Sequence, residues 1–131
     1  MIESYSDGSG KNSSGKGAAS FLIVKDKTII HQESFILKDK TNNEAEYVAL
    51  YSAVKYLVDQ GYDTFTCYVD SELIYKQLIG DYKINVPELI MWNNRIKDLW
   101  TGKAINFQWV PRTNVYIKQV DGLNRRIMRI T

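Results

Sequence analysis

The chain has 131 residues, 44% of them hydrophobic, and its 17 Lys and Arg against 15 Asp and Glu give a formal net charge of +2. That length suits one domain, 1–131, with a core that needs no staples, and so small a charge excludes a protein that grips polyanions over its whole surface, so such contacts must be local. The single cysteine, Cys67, excludes an intrachain disulfide and a multi-cysteine zinc site; no apolar run approaches membrane-spanning length and MIESYSDG carries no leader signal, so a soluble, reducing, cytoplasmic setting is expected.

Residues 2–7 predict a first strand ending at Asp7, followed by a Gly/Ser-rich stretch to Gly17. Gly10 through Lys16 spells GxxxxGK, the phosphate-loop pattern. However, Gly17 stands where a magnesium-binding hydroxyl belongs, and AASFLIV reads as a strand where that loop needs a helix, so the stretch is read as a hairpin connection. A buried strand over 18–25, a turn at Lys25-Asp26-Lys27 and a third strand over 28–37 complete an antiparallel meander. His31, the only histidine, lies mid-strand and far in sequence from the acids discussed below. It is read as a surface or packing residue.

Thr41-Asn42-Asn43-Glu44-Ala45-Glu46-Tyr47 opens the longest helical pattern, 43–60, which stops at Gly61. Thr41 and Glu44 have capping-box spacing: the Thr41 hydroxyl accepts from the first turn while Glu44 reaches back toward residue 41. Glu46 lies about 200° around the helix from Glu44, on the side of Ala49, Leu50, Ala53 and Leu57. A carboxylate at the rim of an apolar face is costly unless a cation, a metal or water compensates it.

A strand over 64–69 buries Phe65, Cys67 and Val69 and ends at Asp70; residues 71–80 predict a short helix. Pro87 starts another helix, whose stripe of Leu89, Trp92, Ile96 and Leu99, with Trp100 beside it, reads as core. The last strand, 103–110, places Ile105, Phe107 and Trp109 on one side. After a loop from Pro111 to Tyr116, a closing helix opened by Asp121 turns Val120, Leu123 and Ile127 inward and Arg125, Arg126 and Arg129 outward. The order β-β-β-α-β-α-α-β-α, a meander passing into crossover units, predicts an α/β fold with a mixed sheet and helices on both faces. Asp7, Asp70 and Asp121 then sit at strand ends or a helix start, where open α/β sheets build their sites.

That order, with SDGS at Asp7, TNNEAE at Glu46, VDSEL at Asp70 and VDGL at Asp121, resembles the type 1 ribonuclease H family over essentially the whole chain. The resemblance implies a five-stranded sheet with Asp7 and Asp70 on adjacent parallel strands. It also selects Glu46 over Glu44, because the family pattern is Thr-Asn-Asn-x-x-Glu. The family motif Arg-x-x-Asn-x-x-Ala-Asp is spaced differently here, with Arg112 and Asn114 closer together and Asp121 several residues later. Asp121 is nonetheless the only acid after Asp98 and so the one candidate for a fourth carboxylate. The segment from Arg112 to Gln119 holds the place of the loop histidine of many bacterial members. Tyr82-Lys83 stands where some carry a basic protrusion, too short to be one, so modest affinity is expected, and no N-terminal hybrid-binding module is expected.

The activity implied is endonucleolytic hydrolysis of the RNA strand of an RNA–DNA hybrid, leaving 5′-phosphate and 3′-hydroxyl ends. The implied cofactors are two Mg2+ ions about 4 Å apart, with Mn2+ as a substitute. Asp7 would bridge both ions, Asp121 serve the nucleophile side, and Glu46 with Asp70 the leaving-group side. Elementary chemistry agrees: converging carboxylates repel and retain protons unless cations are present, and oxygen-only ligands suit magnesium or manganese. For substrate, the resemblance assigns Asn42 and Asn43 to the minor groove and Thr41 to a DNA-phosphate pocket beside its capping role. Ser9 and Gly10 approach the RNA backbone, and Ser71 and Arg112 lie near the scissile strand. A free-standing monomer without an obligate protein partner is expected. The competing readings are a DNA-cutting resolvase or integrase-type nuclease and a catalytically silent module that binds nucleic acid or protein.

Overall fold

Two strand pairings with opposite geometry decide where the acids come to lie. In the computed structural model, which describes residues 1–131, the elements run β1 (Ile2–Ser9), β2 (Lys16–Lys25), β3 (Thr28–Lys38), α1 (Asn42–Asp59), β4 (Thr64–Val69), α2 (Glu72–Leu78), α3 (Pro87–Trp100), β5 (Ala104–Trp109) and α4 (Val115–Ile130). They form one five-stranded sheet in the order β3-β2-β1-β4-β5. The β1–β2 and β2–β3 pairs are antiparallel, and the β1–β4 and β4–β5 pairs are parallel. The expected mixed sheet is thus observed with its element order intact.

Local chemistry explains the connections. Asp26 and Lys27 both have positive φ, 50° and 68°, as a two-residue turn between strands of right-handed twist requires. The Asp26 carboxylate also takes the N-terminal ammonium at 2.9 Å. Thr41 caps α1 by accepting from the Glu44 N–H, Ser71 caps α2 by accepting from the Ile74 N–H, and Pro87 begins α3. No helix is long and apolar enough to cross a membrane.

Alternation along β2 feeds two cores. Phe21 and Ile23 point to the layer under α1, α2 and α3, where Tyr47, Leu50, Leu57, Cys67, Ile74 and Ile96 are buried. Leu22 and Val24 face α4, meeting Ile117 and Val120. His31 stacks on Tyr56 at 3.9 Å and bonds Glu33, the packing role expected of it. Inside the larger core the Tyr47 hydroxyl donates to Gln77 Oε1 at 2.7 Å and accepts from Asn93 Nδ2 at 3.2 Å, tying α1, α2 and α3 together. Tyr47→Phe strands both partners in an apolar layer and is expected to lower stability by about 1–3 kcal/mol, read from the urea midpoint at unchanged slope.

Three expectations are corrected. Glu44 does not reach back toward Thr41; its carboxylate accepts from Trp92 Nε1 at 3.1 Å and lies 3.4 Å from Lys40 Nζ, stronger partners than an exposed amide. Asp121 does not open α4, because Asn114 accepts from the N–H groups of Tyr116 and Ile117 and starts the helix at Val115. The inward face of α4 is Ile117, Val120 and Asn124, with Leu123 and Ile127 only half-buried. Trp109 keeps the alternation of Ile105 and Phe107 along β5 but is exposed, and its indole donates to the Asp70 carbonyl.

Candidate active site

The parallel β1–β4 register runs to Ser6 beside Val69, so the next residues, Asp7 and Asp70, emerge side by side at the carboxyl ends of adjacent strands. Glu46 arrives from the first turns of α1, which crosses β1 closely enough that a Cβ on Gly8 would fall on the Ala45 carbonyl. The Gly8 N–H donates to Glu46 Oε1 at 2.6 Å. One oxygen from each of Asp7, Glu46 and Asp70 lies within 4.8 Å of the others. Asp121, in the second turn of α4, stands outside this group and lines the same cavity, of about 260 Å3, with Asp7, Gly8, Ser9, Asn42, Asn43, Glu46 and Arg112.

Arg112 spans the acids. Its guanidinium lies 3.5 Å from Asp70, 3.9 Å from Asp7 and 3.8 Å from Asp121, while its side chain is 72% exposed. Asp121 has a second cation, Arg125, at 3.0 Å. Even so, the Asp70 Oδ1 atom is buried without a hydrogen-bond partner. Burial, contact with the Asp7 carboxyl and its charge, and the Asp70 charge push the Glu46 carboxyl well above its usual range, against the Gly8 N–H. Burial and the Asp7 charge push Asp70 up to about 6, against the pull of Arg112. An unpartnered buried oxygen and three crowded carboxyls make a donor cluster whose mutual repulsion a bound cation would relieve. The all-oxygen donor set fits a hard divalent ion.

The raised acids give metal binding a sign with pH. Each proton retained in the metal-free state must leave before a cation is held, so affinity rises with pH. Calorimetric titration with Mn2+ is expected to show the association constant falling as pH is lowered by up to about tenfold per pH unit for each proton retained, most steeply below the Asp70 value of about 6, where Glu46 and Asp70 both hold one.

The remaining candidates divide. Ser9, Asn42 and Asn43 line the acidic cavity. Gly10 does so indirectly, its N–H donating to Asn42 Oδ1 at 2.6 Å. Thr41 stands at the N-terminus of α1 as its cap. Ser71 caps α2 and is not among the residues lining that cavity. Two residues not singled out in the sequence belong to the site: Gly8, the point where α1 touches β1, and Asn124, whose Nδ2 donates to the Asp7 carbonyl at 3.1 Å.

Comparison with known proteins bears on this geometry. A family model described as "Reverse transcriptase-like" matches residues 5–117. Ribonuclease HI of Halobacterium salinarum is 33% identical over 102 residues, covering 77% of this chain and 51% of that protein, so the chain spans about half its length. The crystal structure of RNase H1 from Halobacterium salinarum NRC-1 superposes with a TM-score of 0.91 at 30% identity, covering 99% of this chain and 98% of that one. A structure of LC11-RNase H1 in complex with an RNA/DNA hybrid matches with a TM-score of 0.83 at 26% identity, covering 98% of this chain and 99% of the other. Members of this group depend on divalent metal, which agrees with the acidic cluster at Asp7, Glu46 and Asp70. With the strand order, the acids at the ends of β1 and β4 and the match over nearly all of its length, the chain belongs to the type 1 ribonuclease H family.

Proposed function

We propose that the protein is an endonuclease that hydrolyses the RNA strand of RNA–DNA hybrids, leaving 5′-phosphate and 3′-hydroxyl ends. The observation that carries this reading is the cluster of Asp7, Glu46 and Asp70, one buried and two half-buried acids held within 4.8 Å of one another with an exposed arginine beside them. Asp7, Glu46 and Asp70, with Asp121 across the cavity, are the residues to hold two Mg2+ ions, or Mn2+ in their place. Bound there, the ions would supply Lewis acidity for the attacking water and positive charge for the scissile phosphodiester and the leaving 3′ oxygen.

The protein's own groups do the rest. Gly8 fixes one Glu46 oxygen through its N–H and leaves the other for the cavity. Arg112, exposed and within 4 Å of three carboxylates, is free to exchange those partners for a backbone phosphate when cation charge replaces its own. The N–H groups at the start of α1 attract an anion, which suits Thr41 to a DNA phosphate and Asn42 and Asn43 to the minor groove. Ser9, at the open side of the cavity, suits contact with the RNA backbone.

The deciding experiment incubates the protein with Mg2+ and an end-labelled RNA–DNA hybrid beside RNA duplex and DNA duplex. Cutting of the RNA strand in the hybrid, abolished by chelator, is expected. Cutting of DNA duplex would favour a resolvase-type nuclease, and binding without cutting a silent module.

A further inference from the structure

The peptide joining Asp7 to Gly8 is held from both faces of the sheet. On the α1 face its N–H, on Gly8, donates to Glu46 Oε1 at 2.6 Å. On the α4 face its C=O, on Asp7, accepts from Asn124 Nδ2 at 3.1 Å. A peptide group is one rigid plane, so its N–H and C=O cannot be aimed independently. Whatever fixes the carbonyl fixes the direction of the amide that restrains Glu46.

Asn124 is built for this bond. It is 2% exposed, and on the inward face of α4 an aliphatic residue would pack without the cost of burying an amide. That cost is met on both sides, since Asn124 Oδ1 accepts from the Ser20 hydroxyl at 2.6 Å. Ser20 lies opposite Asp7 in the β1–β2 register and contacts Ser34 Oγ at 3.0 Å. The Asp7 carbonyl can only accept, so it alone requires the amide nitrogen to face it, and the Ser20 hydroxyl satisfies the oxygen that is left. Asn124 also follows Asp121 by about one turn of α4, so the same bond sets the rotation of that helix over β1.

We propose that Asn124 is a positioning residue of the hydrolytic site: by clamping the Asp7 carbonyl it orients the Asp7–Gly8 peptide, and through it Glu46, while fixing the turn of α4 that presents Asp121. Three of the four carboxylates thereby take their aim from one buried amide. The proposal rests on the hydrolase reading only for its role in cleavage. The metal-site geometry is tested without substrate.

The test compares Asn124→Ala with Ser20→Ala, which removes the other half of the network and leaves the bond to Asp7. Three quantities are read on each folded protein: the Gly8 amide resonance in a 15N-labelled sample, Mn2+ affinity by calorimetry, and the Mg2+ concentration giving half-maximal hybrid cleavage. In Asn124→Ala the Gly8 amide is expected to move upfield, Mn2+ affinity to fall about 10-fold or more, and the Mg2+ requirement to rise in parallel. In Ser20→Ala all three stay near wild type despite a loss of stability. If the alanine variant does not fold, Asn124→Leu fills the space without an amide and serves the same comparison. Equal effects in the Asn124 and Ser20 variants, or a Gly8 amide and Mn2+ affinity unmoved by loss of Asn124, overturn the proposal. Absence of hybrid cleavage by the wild-type protein would instead defeat the hydrolase reading, with the amide and Mn2+ measurements still deciding this one.

Discussion

Asp70→Asn is expected to lower hybrid cleavage by at least about 10^3-fold, on the order of 4 kcal/mol of barrier, and at the same time to stabilise the metal-free protein. The two effects share a cause. Asp70 is nearly buried, with one oxygen unpartnered and its carboxyl pushed up to about 6 by burial and by Asp7. Between the unfolded value of 3.8 and the folded value of about 6, the native state holds a proton that the unfolded chain has released. Stability therefore falls as pH rises through that window and stays lower above it. Asparagine carries no charge to desolvate, so the variant should gain on the order of 1–2 kcal/mol at pH 7.5 in chelator, after allowance for screening in an open cavity, and little at pH 4. Urea midpoints at the two pH values, beside single-turnover cleavage, measure both. A variant no more stable at pH 7.5 than wild type would mean that the acids are not in conflict.

Gly8→Ala is expected to destabilise the fold by about 3 kcal/mol or more and to abolish cleavage in whatever protein still folds. Gly8 is there for space, not for an unusual backbone angle. The added methyl would meet the Ala45 carbonyl and the Glu46 nitrogen, main-chain atoms that no rotamer change can move aside. To admit it α1 must lift from β1, which lengthens the Gly8–Glu46 bond and draws Glu46 away from Asp7 and Asp70. A urea midpoint at the wild-type value would show that α1 can shift without cost.

Much of the architecture was legible because its signals are local. The apolar run of β2, the cap at Thr41, Pro87 and the Asp26–Lys27 turn each act within a few residues. The side-by-side placement of Asp7 and Asp70 was legible only through the family resemblance, since no local rule chooses which strands run parallel. What the residues did not reveal depends on distant partners. Glu44 has ideal spacing for a capping box, yet Trp92, 48 residues away, takes its carboxylate. Trp109 keeps the alternation of β5 and is nonetheless exposed, because its indole turns to the Asp70 carbonyl. Asn114 did carry a usable signal, a capping side chain just before Val115, that would have moved the start of α4 ahead of Asp121. Asn124 carries no local signal, because its partners lie 117 and 104 residues away, in β1 and β2.

The central strand of the sheet is β1, bordered by β2 on one side and β4 on the other and covered by helices on both faces. Amides in such a position are expected to exchange with solvent only when the whole molecule opens, and those of the exposed turn that carries Arg112 at lower energy. Hydrogen exchange is therefore expected to place Asp7 in the slowest part of the protein and Arg112 in a quicker one. A catalyst assembled this way keeps one acid as a fixed datum while its companions can yield to let a strand in and a cut end out.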